Sequence, residues 1–115
     1  MKIIEKQEGD VVVLLVIGAL NSKQELGVID EKINQITEKN IKKIVLELSS
    51  ISDINKTGLG ELMSCAETIK DKKGRLKLAK ISPPVETLIR SADLLDYFEL
   101  TSSAELAIEE FKTNQ

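Results

Sequence analysis

The sequence predicts an α/β fold: one small mixed β-sheet of four to five strands with about four α-helices packed on it. Three observations carry this. The chain has 115 residues, a length that suits a single core. Its apolar residues switch repeatedly between spacings of two and of three to four, so strands alternate with helices. Two strands come first with only a short polar gap between them, so an antiparallel hairpin precedes the alternating part. No internal repeat, low-complexity tract or linker interrupts the pattern, and residues 1–115 are expected to form one domain.

The expected elements follow in order. Ile3 to Gln7 and Val11 to Ile17 read as two strands joined through Glu8-Gly9-Asp10. Leu26, Ile29, Ile33 and Ile36 then define the buried face of a helix that ends near Asn40. Ile44, Leu46 and Leu48 predict a buried strand, and the polar stretch Ser49 to Lys56 predicts a loop after it. Leu59, Leu62, Met63, Ala66 and Ile69 fall on one helical stripe that closes before Lys72-Lys73-Gly74. Arg75 to Ile81 is a further strand, and Ser82-Pro83-Pro84 starts a helix whose apolar face is Val85, Leu88, Ile89 and Ala92. Leu95 to Leu100 holds a short extended piece. Ser102 and Glu105 form a capping-box pattern ahead of a last helix containing Ala104, Ala107, Ile108 and Phe111, with a frayed tail from Lys112 to Gln115.

Composition narrows the function. Hydrophobic residues make up 42% and charged residues 30%, too apolar for a disordered chain. The longest apolar run, Val11 to Leu20, is half the roughly 20 residues a membrane-spanning helix needs, so direct membrane insertion is not expected. The amino terminus shows no apolar export segment, and a cytoplasmic location is the expectation. The absence of histidine and the single cysteine, Cys65, remove most routes to a zinc site or a thiol–imidazole active site, and no cofactor is expected. A net charge of −3, scattered lysines and only Tyr97, Phe98 and Phe111 as aromatics argue against a nucleic-acid partner.

The stretch from Ile44 to Gly60, IVLELSSISDINKTGLG, strongly resembles the matching segment of STAS domains, the family of anti-sigma factor antagonists and sulphate-transporter tails. Val12 to Asn21, Gly74 to Leu78 and Pro83 to Phe98 resemble further parts of that family, so the likeness covers essentially the whole chain. The resemblance implies an anti-sigma factor antagonist. Such a protein binds an anti-sigma factor, often a serine kinase, and is released by phosphorylation, a partner switch that regulates transcription. It also implies a binding module rather than an enzyme, with a monomeric or weakly dimeric state. The alternative it leaves open is a cytosolic STAS subunit of a membrane transport complex.

In the family's usual pattern an aspartate precedes the phosphorylated serine, which is followed by serine or threonine and Gly-Leu-Gly. Here Asn55, Lys56, Thr57, Gly58, Leu59 and Gly60 hold those places, and Lys56 has no hydroxyl to phosphorylate. Lys56 therefore implies either an antagonist that cannot be switched off here or a site adapted to a different, acidic partner surface. The plainer alternative is a solvated loop lysine. Thr57 is the nearest hydroxyl, and its expected role is N-cap of the following helix, ahead of phosphorylation. Asn55 keeps the hydrogen bonding of the family's acidic residue without its charge. Asp53 is expected to turn or cap the backbone. Gly58 and Gly60 would permit close backbone approach, either by a partner or by the sheet. The expected partner-binding set is thus Asp53, Asn55, Lys56, Thr57, Gly58, Leu59 and Gly60. Met63 and Cys65 are expected only to pack. A hydrolase built on Asp53 and Glu61 would lack both a base and an activated nucleophile.

Overall fold

Gly9 and Asp10 turn the chain between β1 (Lys2–Glu8) and β2 (Val11–Leu20), with Gly9 in the left-handed region at φ 63°. The two strands pair antiparallel, Ile3 opposite Val16 and Gln7 opposite Val12. The structure, a computed structural model, describes residues 1–113. Residues 114 and 115 of the expected frayed tail lie outside the described residues, while Lys112 and Thr113 belong to the last helix.

The sheet has the order β1-β2-β3-β4-β5, with β3 spanning Lys43–Ile54, β4 Arg75–Ala79 and β5 Glu99–Thr101. β2 to β5 run parallel, each step crossing through a helix as parallel neighbours require. Alternation along the strands gives the sheet two faces. Val12, Leu14, Val16, Ile44, Leu46 and Leu78 point to one side, where they meet α1 (Val28–Thr37), α2 (Lys56–Asp71) and α3 (Pro83–Ser91) through Ile33, Leu62 and Ile89. On the other face, Val11, Val13, Val45 and Ala79 pack with Ala107 and Phe111 of α4 (Ala104–Thr113). Lys77 is buried here. Its ammonium lies 3.0 Å from Glu110 and 3.2 Å from Glu99 and sits over the Phe111 ring, clamping α4 to β4.

The class and strand number agree with the sequence, but several boundaries do not. The segment Ser49 to Ile54, expected as loop, continues β3. Its polar residues hide two buried isoleucines, Ile51 and Ile54, and their spacing of three breaks the alternation because the β2–β3 register shifts here. Leu26 is not on the buried face of α1. A 3-10 turn at Lys23–Glu25 ends at Leu26, Gly27 bends the chain at φ 88°, and Leu26 is left 53% exposed. Ala92 follows α3 as its C-cap and is exposed. The serine that caps α4 is Ser103, whose hydroxyl accepts the Leu106 N–H, not Ser102. β5 forms at Glu99–Thr101, at the end of and just beyond the extended piece expected from Leu95 to Leu100.

Candidate docking site at the amino end of α2

The carboxyl ends of β2 and β3 lie side by side, and their polar side chains tie the two chain ends together. Asn21 Nδ2 donates to Asp53 Oδ2 at 2.7 Å, and Asn55 Nδ2 donates to the Asn21 carbonyl at 3.0 Å. Asn55 is extended (φ −127°, ψ −172°) and its Oδ1 accepts the Gly58 N–H at 3.1 Å. Asn55 is therefore the N-cap of α2, and the expectation that Thr57 caps it is corrected. The strand runs one residue short of Asn55, and asparagine is the stronger capping residue of the two. Thr57 sits inside the first turn, half-buried. Asp53 holds Asn21 across the sheet rather than turning its own backbone.

Lys56 is the first helical residue, exposed, and has no ion-pair partner among the described residues. A cation here opposes the positive end of the helix dipole, a cost of about 0.3 to 1 kcal/mol when it stays close. Its long stem lets the ammonium swing into water instead. The two glycines differ in kind. A Cβ on Gly58 would run into the Leu20 carbonyl oxygen and lie 2.9 Å from side-chain carbons of Ile54 and Leu20, whereas one on Gly60 would meet nothing within 4 Å. Gly58 lets α2 press onto β2. Gly60 is exposed and leaves the outer surface of the helix bare. Leu59 is 6% exposed and belongs to the core, so it supports the surface from beneath.

Glu61 supplies what sequence reasoning missed. Its carboxylate is 2% exposed and accepts the backbone N–H groups of Gly27, of Ile29 at 2.9 Å and of Asp30 at 3.3 Å. Gly27, the N-cap of α1, has no side chain to do this, so a residue of α2 caps α1 across the helix pair. Both oxygens of Glu61 are thus spent on the α1 backbone. The clamp also fixes an apolar dimple of about 210 Å³ between Leu26, Gly27, Gly60 and Ser64, with the exposed Leu26 as its rim. Ser64 in turn donates to Asp30 Oδ2 at 2.7 Å. Leu26 did not enter the expected set, since it read as a helix-core residue; the Leu-Gly pair was the available sign that the chain bends there. Cys65 is buried beneath, and burial first, then the Asp30 and Glu61 charges, push its thiol above the ordinary range. It is an inert packing group.

The arrangement thus offers a rigid, mixed surface of amide, ammonium, hydroxyl and small apolar groups. Among the described residues there is no cluster of potential metal ligands and no helix long and apolar enough to cross a membrane. The STAS-domain family model matches residues 2–107, and the chain belongs to the STAS-domain family. Solved structures agree on the fold. The protein TM1081 of Thermotoga maritima is 23% identical, with a TM-score of 0.83 over 94% of this chain and 92% of that one. The anti-sigma factor antagonist SpoIIAA in its unphosphorylated form is 18% identical, with a TM-score of 0.80 over 97% of both chains. An anti-sigma factor antagonist from Mycobacterium paratuberculosis is also 18% identical at a TM-score of 0.80, covering 94% of this chain and 91% of the other.

Proposed function

We propose that this chain is an anti-sigma factor antagonist, a non-catalytic regulator that acts by partner switching and is not phosphorylated at the family's usual position. One observation carries the reading. In a chain with the STAS fold and antagonists among its structural neighbours, the first residue of α2 is an exposed lysine where the family pattern has its serine. The partner is an anti-sigma factor of the serine-kinase type. It docks on Asp53, Asn55, Lys56, Thr57 and Gly60, with Gly58 and Leu59 holding the helix in place below. Residues 1–115 act as one cytoplasmic domain, monomeric or weakly dimeric, with no cofactor and no nucleic acid.

Without an accepting hydroxyl at Lys56, a kinase cannot add charge at the family's usual position. Binding is then governed by concentration and by shape. The test is calorimetry against each anti-sigma protein of the source organism, followed by incubation with the kinase and ATP and mass spectrometry of the products. We expect micromolar or tighter binding to one of them, a loss of at least tenfold in Lys56→Glu, and phosphate only in a Lys56→Ser variant. Absence of binding to every candidate, or copurification with an ATP-binding transport subunit instead, would overturn the antagonist assignment. Phosphothreonine at Thr57 in the parent protein would overturn the absence of a switch.

A further inference from the structure

The two faces of the sheet are covered unequally. Three helices lie on one face and α4 alone on the other, against β2 to β5. Five strands about 4.8 Å apart span roughly 20 Å, which is the width of two helices packed side by side at 8–10 Å. One helix therefore leaves β1, at the edge of this face, without a helical layer. A groove of about 340 Å³ runs there between α4 and the hairpin, floored by Val13, Ala104 and Ile108. Ile4, which pairs with Leu15 and shares this face with Lys6 by alternation, is 43% exposed and extends the apolar strip.

The rim is acidic. Glu105 and Glu109 stand four residues apart on one ridge of α4, both exposed, while Glu8 and Glu47 face them from the sheet. Glu47 accepts only the Ser49 hydroxyl at 2.8 Å, and neither it nor Glu105 nor Glu109 has an ion-pair partner among the described residues. The one cation on the rim, Lys6, is itself 3.2 Å from Glu8. Four carboxylates against one ammonium thus edge an apolar floor.

We propose that this groove docks a basic amphipathic helix of a partner protein, a second surface separate from the amino end of α2. The partner's apolar stripe lies on Val13, Ala104 and Ile108, and its lysines or arginines, three or four residues apart, meet Glu105 and Glu109 on one side and Glu8 and Glu47 on the other. This is the helix-in-groove mode with charge complementarity setting the choice of partner. The inference does not rest on the antagonist assignment, because none of these residues belongs to that site.

The test uses the full chain, labelled with ¹⁵N, and a synthetic helical peptide of about 14 residues with a leucine stripe flanked by lysines at i and i+4, beside a twin carrying glutamates for lysines. Saturable amide shifts at Val13, Glu47, Glu105 and Ile108 with the basic peptide alone are the expected result. Affinity should fall at least about tenfold in the Glu105→Lys/Glu109→Lys double variant and hold in Lys56→Glu. Both changes in the double variant are on the exposed side of α4, and circular dichroism checks that it folds. Absence of saturable shifts, shifts confined to the amino end of α2, or equal response to the acidic twin would overturn the proposal. Displacement of the peptide by millimolar calcium, with shifts at the same residues from calcium alone, would assign the groove to a cation instead. Sedimentation of the chain without peptide addresses a second copy. Lys42, Lys72 and Lys73 cluster where Arg75 N–H donates to the Lys42 carbonyl, and self-association lost in both Lys72→Glu/Lys73→Glu and Glu105→Lys/Glu109→Lys would replace the partner helix with another molecule of this chain.

Discussion

Replacing Glu61 by alanine removes one side chain from α2 and leaves three N–H groups at the start of α1 without their acceptor. Ile29 is fully buried and Glu61 2% exposed, so water cannot take over the Ile29 bond without opening the helix pair. A hydrogen bond to a charged group contributes about 1.5 to 3 kcal/mol, and a carboxylate at a partly buried helix amino terminus up to about 2 kcal/mol more. These overlap, and relief of the buried charge offsets part of them, which puts Glu61→Ala at about 3 kcal/mol destabilising. Glu61→Gln keeps one acceptor oxygen and loses the charge, at about half that. Against a typical domain stability of 5 to 15 kcal/mol the alanine variant still folds, and at an m-value of about 1.5 kcal/mol/M its urea midpoint drops by about 2 M. Hydrogen exchange localises the effect, since the Ile29 and Asp30 amides should lose protection before the sheet does. An alanine variant within about 0.5 kcal/mol of the parent would refute the cross-helix cap.

The two glycines of α2 should respond in opposite directions to alanine. Gly58→Ala drives a methyl into the Leu20 carbonyl and should cost about 3 kcal/mol, whereas Gly60→Ala fills open space in a helix and should gain about 0.5 to 1 kcal/mol, both read by thermal melting. Asn55→Ala removes the α2 cap and the bond to the Asn21 carbonyl, at about 1 to 2 kcal/mol by urea titration, while Asn55→Asp keeps the cap acceptor but loses the donor to that carbonyl, and should fall between the parent and the alanine variant. For Glu99, burial raises the carboxyl, but hydrogen bonds from Arg75 and Lys77 outweigh it and hold the group below its ordinary range. A carboxylate so held stabilises the fold at neutral pH and gives that up as pH falls through its folded-state value. The stability difference between parent and Glu99→Gln should therefore be present at pH 7 and shrink on acidification below about pH 4.5, as followed by denaturation at stepped pH.

Most of the fold was legible because its signals are local. The Val11 to Ile17 run, the Ile29–Ile33–Ile36 spacing and the Ser82-Pro83-Pro84 start each specify an element within a few residues, and the structure has them. What escaped depends on partners distant in sequence. The second half of β3 is a strand only because β2 extends to Leu20 beside it with a shifted register, so Ser49 to Ile54 taken alone resembles a loop. The candidate surface at the amino end of α2 was legible as one segment, Asp53 to Gly60. Leu26 beside it reaches the surface through the bend at Gly27, and Glu61 reads as an ordinary helix glutamate until the Gly27 and Ile29 amides are brought to it from 32 to 34 residues away. Capping errors have the same origin at shorter range. Asn55 and Thr57 are both competent caps, and the end of the strand decides between them.

β4 pairs with β3 only over Lys43 to Glu47, so the remainder of β3 has a ladder on its β2 side and none on the other. That is an open sheet edge inside the molecule, beside the amino end of α2, where a foreign strand would ordinarily be invited to add. Ser82 stands in the way. Its N–H donates to the Leu48 carbonyl at 3.2 Å and its hydroxyl to the Ile51 carbonyl at 2.7 Å, and the start of α3 occupies the space a strand would need. The hydroxyl is spent on β3 and not on capping its own helix, where Pro83 and Pro84 leave fewer N–H groups to satisfy. A serine followed by two prolines thus acts as a plug against edge-to-edge assembly, and the lip of the sheet beside the start of α2 stays closed to backbone pairing and open only to side chains.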